Sequence, residues 1–132
     1  MKCLLDTHAL LWALFDESKI PSKTKAILEN PDHEVYVSII SYWEISLKYS
    51  LGKLELRGIS PEELLQTAEQ IGFETLPLKP EEAISFYRLP RDSHKDPFDR
   101  LIIWQAINRK LTLISKDISL RDYKKIGLKL LW

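Results

Sequence analysis

Lys2-Cys3-Leu4-Leu5-Asp6-Thr7-His8-Ala9-Leu10-Leu11-Trp12 passes from a short apolar run, through a carboxylate, into a segment rich in apolar residues at helical spacing. Reading it as strand, acid and helix decides the fold class, because the same order returns along the chain. Val35-Tyr36-Val37-Ser38 is a β-rich run with Glu44 in the segment behind it, and Leu113-Ile114-Ser115-Lys116 leads into Asp117. Asp99 stands in Asp96-Pro97-Phe98-Asp99-Arg100. Strands alternating with helices predict an α/β fold with a helix-covered, mostly parallel sheet. Open sheets of this kind place their sites at the carboxyl edge of the strands, so Asp6, Glu44, Asp99 and Asp117 are expected to gather there. Clustered carboxylates and water suit hard cations such as Mg²⁺ or Mn²⁺.

Working outward, Pro21 and the string Lys23 to Asn30 predict a second helix. Ile40, Trp43, Leu47 and Leu51 recur at three- and four-residue steps and predict the buried stripe of the next helix, which Gly52 ends. Ser60-Pro61-Glu62-Glu63 reads as a capped helix start. Leu64, Leu65, Ala68 and Ile71 form its predicted buried face, with Gly72 as its stop. Phe73 to Leu78 is a predicted strand, Pro80 opens a helix that Pro90 closes, and residues 91–95 form a polar loop. Asp96-Pro97 starts a strongly apolar helix, and Lys110 to Ser115 and Leu128 to Trp132 are predicted strands. Without repeats, low-complexity tracts or a linker, residues 1–132 are expected to form a single domain.

The 132 residues are 45% hydrophobic, enough for one continuous core, and carry 19 basic against 19 acidic side chains. That neutrality gives no global pull toward nucleic acid or membrane, so a nucleic-acid partner requires a local basic patch beside the acidic centre. Cys3 is the single cysteine, which excludes an intrachain disulfide and suggests a buried, inert thiol. Asp6 and His8 interrupt any signal-peptide core, and no apolar stretch approaches the ~18–20 residues of a membrane span. The expectation is a soluble cytoplasmic protein with no membrane partner.

Each carboxylate has an ordinary alternative. Asp6 reads as readily as a helix cap, although Thr7 could serve there too. Glu44 lies within the apolar stripe, where an unpaired carboxylate costs several kcal/mol, roughly, unless a cation or partner meets it. Lys48, one turn later, is one such partner. Asp96 before Pro97 suits the N-cap, which leaves Asp99 in the first turn, on the face of Ile102, Ile103 and Ala106. Asp99 is therefore the expected ligand, with Asp96 read as the cap that shapes the site and direct metal contact as the minor alternative. Asp117 is again a cap or a ligand.

These segments, with Ser41-Tyr42-Trp43-Glu44-Ile45 and Lys48, resemble the PIN-domain family, and within it the VapC-type toxins of type II toxin–antitoxin systems. The resemblance covers essentially the full length in the right order, and Asp96 to Leu101 is its most specific run. It implies a three-layer α/β/α sandwich that hydrolyses RNA with one or two Mg²⁺ or Mn²⁺ ions. It maps the family's acids onto Asp6, Glu44, Asp99 and Asp117, the last being the least uniform position, and its supporting hydroxyl onto Thr7. It also implies a cognate antitoxin, seated in a groove of the first helices and blocking the carboxylates, and a homodimer.

Lys48, Arg91, His94, Lys95, Arg100 and Lys116 are expected near the mouth. Arg100 is the leading candidate for phosphate contact or for orienting carboxylates, with Lys48 and Lys116 as further substrate contacts. His8 and His94 lack the companions of a zinc pair, and neither is assigned as a general base. The four tryptophans, at 12, 43, 104 and 132, are expected mostly in the core. Two other readings compete: a PIN-type nuclease for RNA or DNA without an antitoxin, and a Mg²⁺-dependent phosphoacceptor or binding module. The phosphoacceptor needs an Asp after its third strand, and Phe73-Glu74-Thr75-Leu76-Pro77 offers none.

Overall fold

Side chains alternate between two cores along β1 (Lys2–Leu5): Cys3 and Leu5 enter one cluster and Leu4 the other. That period of two marks a strand buried on both faces. The computed structural model describes residues 1–91 and 94–132. The loop expected at 91–95 lies partly outside them. In chain order the further elements are α1 (Thr7–Phe15), α2 (Ser22–Glu29), β2 (Glu34–Ser38), α3 (Ile39–Ser50), α4 (Pro61–Ile71), β3 (Glu74–Leu76), α5 (Pro80–Ser85), α6 (Pro97–Arg109), β4 (Thr112–Ile114) and β5 (Lys129–Leu131). Short 3-10 helices cover Glu17–Lys19, Phe86–Arg88 and Ile118–Ile126.

The five strands form one sheet in the order β3-β2-β1-β4-β5, and every neighbouring pair is parallel. This order differs from the 2-1-3-4-5 arrangement of receiver-type phosphoacceptors, and that reading falls. One face packs Cys3, Leu5, Val35, Val37 and Ile114 against Ala9 and Leu10 of α1 and Leu64 and Ala68 of α4. The other packs Leu4 and Leu113 against Ile102, Ile103 and Ala106 of α6, with Leu120 and Tyr123 from the last 3-10 helix. Helices thus cover both faces of the sheet. Cys3 is fully buried.

Local signals act as their chemistry dictates. Ser60 and Glu63 form a reciprocal capping box at α4, and Gly72 closes it with φ of 107° in the left-handed region. Two expected faces need correction. Ile71 is exposed, and in α3 the buried residues are Ile40, Ser41, Glu44 and Ile45. Trp43, Leu47 and Leu51 face outward with Ile39, a four-residue ridge that is 59% exposed at Trp43. The more apolar side of α3 is therefore its open side, and polarity alone selects the wrong face. The remaining tryptophans are half-buried. Among the described residues, no helix is long and apolar enough to cross a membrane.

Candidate metal centre

Parallel register brings the carboxyl ends of the strands to one edge, and the acids follow directly. Asp6 is the residue after β1 and the N-cap of α1, its Oδ1 accepting the Ala9 N–H at 2.7 Å. Asp6 lines a cleft as well as capping the helix, so the cap and ligand readings are compatible. Burial pushes its carboxyl above the usual range, and the charge of Asp99 adds to this, while Ser115, the Ala9 N–H and His8 oppose it.

Glu44 projects from the buried face of α3 with 3% exposure. The Thr7 hydroxyl donates to its Oε1 at 2.6 Å, and Lys48 holds its Oε2 one helical turn away. Thr7 in turn shares a 3.0 Å hydrogen bond with Ser41. The hydroxyl after the first acid thus fixes the second acid. Lys48 is held above the ordinary lysine range, first by its hydrogen bond to Glu44 and further by the charges of Asp96 and Asp99, with burial opposing.

Asp96 is the N-cap of α6, accepting the Phe98 N–H at 2.9 Å, with Pro97 at the first helical position. Asp99 follows in the first turn. Glu44, Asp96 and Asp99 each offer an oxygen, and these three lie within 4.8 Å of one another. Asp96, expected chiefly as a cap, therefore joins this close acidic group as well. A cleft of about 100 Å³ is lined by Asp6, Asp99, Asp117, Ser115, His8 and His94 among others. Asp99 is the carboxylate common to both groups. Burial raises its pKa, and the charges of Asp96 and Glu44 raise it further against the lowering effect of His94.

Asp117 caps the last 3-10 helix, accepting from the Ser119 N–H and hydroxyl at 3.0 and 2.7 Å. His94 is what the sequence left unassigned. Its Nε2 meets Asp99 Oδ2 at 3.0 Å, and its Nδ1 faces Ser119 Oγ at 3.4 Å and Asp117 Oδ2 at 3.7 Å. It thus bridges the acids of two segments. The available signal was its place two residues before the Asp96-Pro97 helix start. His8 is exposed and stacks near Trp12, with ring centroids 5.7 Å apart.

Arg100 does not take the role expected of it. Its side chain is buried, donating to the carbonyls of Pro90 and Leu89 at 3.0 Å and lying over the Phe86 ring. Following Asp99 on α6, it points about 100° away around the helix, so adjacency in sequence separates the two side chains. It ties the 89–90 segment to α6 instead of reaching for phosphate or orienting the acids. Lys116 stands with Nζ 5.7 Å from the centroid of the Trp12 ring.

A five-stranded parallel sheet with acids converging at its carboxyl edge defines an α/β protein built around an anionic centre. The chain belongs to the PIN-domain family, whose profile matches residues 3–126. It is 29% identical over 121 residues to Ribonuclease VapC22 of Mycobacterium tuberculosis, covering 92% of this chain and 91% of that protein. Among solved structures it is similar to VapBC2 from Rickettsia felis bound to a promoter DNA fragment, with TM-score 0.71, 18% identity and coverage of 99% and 98%. It is also similar to a toxin–antitoxin complex from Klebsiella pneumoniae, with TM-score 0.61, 20% identity and coverage of 98% and 96%.

Proposed function

We propose that this chain is a Mg²⁺- or Mn²⁺-dependent endoribonuclease and the toxin of a toxin–antitoxin pair. The observation that carries the reading is the convergence of Glu44, Asp96 and Asp99 within 4.8 Å, with Asp6 and Asp117 lining the adjoining cleft. The donor set fits a hard divalent cation: it is all carboxylate oxygen, and Asp6 and Asp99 are raised by burial and mutual repulsion that a cation would relieve. Asp6 and Asp99 would hold the ion, with Glu44, Asp117 and the capping Asp96 offering further carboxylate oxygens. The reading takes one or two such ions. A divalent cation held there would supply Lewis acidity toward water and toward the phosphoryl group of an RNA backbone.

The protein's own groups prepare that site. Thr7 fixes the Glu44 carboxylate, and Lys48 neutralises part of the cluster and presents a cation to phosphate. The antitoxin is proposed from the similarity to Ribonuclease VapC22 and to structures described as toxin–antitoxin complexes. The open apolar ridge Ile39, Trp43, Leu47 and Leu51 supports a protein partner, including a second copy of the chain.

The test is cleavage of a mixed RNA pool by the purified chain in Mn²⁺ or Mg²⁺, compared with chelator and with Asp6→Asn and Asp99→Asn. Cleavage confined to the unmodified chain with metal is the expected result. Activity that survives chelation, or that is as high in both variants as in the unmodified chain, overturns the reading.

A further inference from the structure

A row of aromatic rings leaves the acidic cleft on the α1 side. His8, which lines the cleft, lies 5.7 Å from Trp12, and Trp12 lies 5.5 Å from Trp132 between centroids. Lys19 and Lys116 place their ammonium groups 5.8 and 5.7 Å from the centroid of the Trp12 ring. Beside this row opens a second cavity of about 280 Å³, whose walls include Lys116, Arg121, Lys124 and Trp132. The cleft and this cavity share Ser115 and Asp117 as a common wall. Among the described residues, Lys116, Arg121 and Lys124 form no ion pair, and all three are exposed. In a chain of zero net charge this is a local basic patch of the kind that a polyanion requires beside an acidic centre.

We propose that the His8–Trp12–Trp132 row and the Lys116/Arg121/Lys124 cavity form a single-stranded RNA track that guides the strand adjoining the scissile phosphate. The proposal rests on the nuclease reading above. Aromatic faces accept bases of any identity, and a neighbouring cationic groove follows the phosphates; their combination is the mode of single-strand binding. A duplex keeps its bases paired and stacked, so it cannot use the rings. The exposed ridge of α3 lacks this mixture, being apolar, and suits a protein surface instead. Trp12 and Trp132 thus gain a role at the site beyond packing.

The experiment measures binding of a fluorescein-labelled 12-nucleotide RNA of mixed sequence to the full chain in chelator, where nothing is cleaved. It compares the Lys116→Ala/Arg121→Ala/Lys124→Ala variant and Trp12→Leu, with circular dichroism confirming that both fold. The expected result is at least tenfold weaker binding by the triple variant, with a slope of log affinity against log salt shallower by about 2. Trp12→Leu is expected to weaken binding by about tenfold, with the salt slope unchanged. Equal affinity and slope in the triple variant overturn the proposal, as does failure of the unmodified chain to bind. Equal binding of a hairpin duplex, or of a 12-residue polyglutamate peptide, overturns the single-stranded RNA assignment, the second in favour of an acidic protein segment. Mn²⁺-dependent cleavage is read separately. Loss of binding in the variants of a chain that cuts nothing sinks the nuclease reading and leaves the track, whereas cleavage with unaltered binding sinks the track alone.

Discussion

Asp99 is the residue on which the site turns, since it belongs both to the tight triad and to the cleft. Its raised pKa, and that of Asp6, make the bare site a liability for the fold. A carboxyl raised in the folded state contributes stability that is fully present below its unfolded value near 3.8 and is lost as pH rises through the folded value. Near neutral pH both acids are therefore destabilising until a cation arrives. Asp99→Asn is expected to stabilise the metal-free chain by about 1 kcal/mol, a rise of about 4 °C in melting temperature, while removing the rise that Mn²⁺ gives the unmodified chain. Melting followed by circular dichroism in chelator and in Mn²⁺ measures both effects; a lower metal-free melting temperature for Asp99→Asn contradicts them. Asp6, Asp96, Asp99 and Asp117 were legible as candidates because each stands at a strand end or helix start, and Glu44 because it falls within the apolar stripe of a helix. His94 was not, since its meeting with Asp99 and Asp117 depends on the path of a loop.

At the scale of elements, order and type followed from apolar runs, prolines and caps, whereas faces did not. The α3 stripe shows why: Trp43, Leu47 and Leu51 outweigh Ser41 and Glu44 in apolar character, yet the latter pair is buried because Thr7 and Lys48 satisfy Glu44. The 3-10 helix Ile118–Ile126 was missed because its buried residues, Leu120 and Tyr123, are only two and are embedded among charges. Between α5 and α6, Arg109 Nε and Nη2 clasp the two oxygens of the buried Glu82 at 2.7 Å each. Burial alone would raise Glu82, but Arg109, the Lys79 N–H and Gln105 together hold it below its ordinary value of 4.5. Its contribution is thus present above that value and is lost as pH falls through the depressed folded value. Arg109→Ala, which strands a buried carboxylate, is expected to cost about 3 kcal/mol in urea unfolding at pH 7, with a smaller loss at pH 3. Ser60→Ala, which removes one half of the α4 capping box, is expected to cost about 1 kcal/mol by the same measurement.

For the whole molecule, neutrality conceals a division of surfaces: an acidic edge, a basic and aromatic flank beside it, and an apolar ridge on α3. The sequence showed the parallel sheet and its acidic edge. It could not show the flank, because Trp12, Lys116 and Trp132 are brought together only when β1, β4 and β5 lie side by side. If the α3 ridge seats a second copy, Leu47→Glu shifts the chain toward the monomer in size-exclusion chromatography, with its melting temperature kept within a few degrees. An unchanged elution volume for a dimeric chain removes the ridge from the interface. The central claim is that these carboxylates act together as a divalent-cation site, and calorimetric titration with Mn²⁺ tests it most directly. The account predicts saturable uptake of one or two ions by the unmodified chain, abolished by Asp99→Asn; uptake that is absent, or unaltered in that variant, contradicts it.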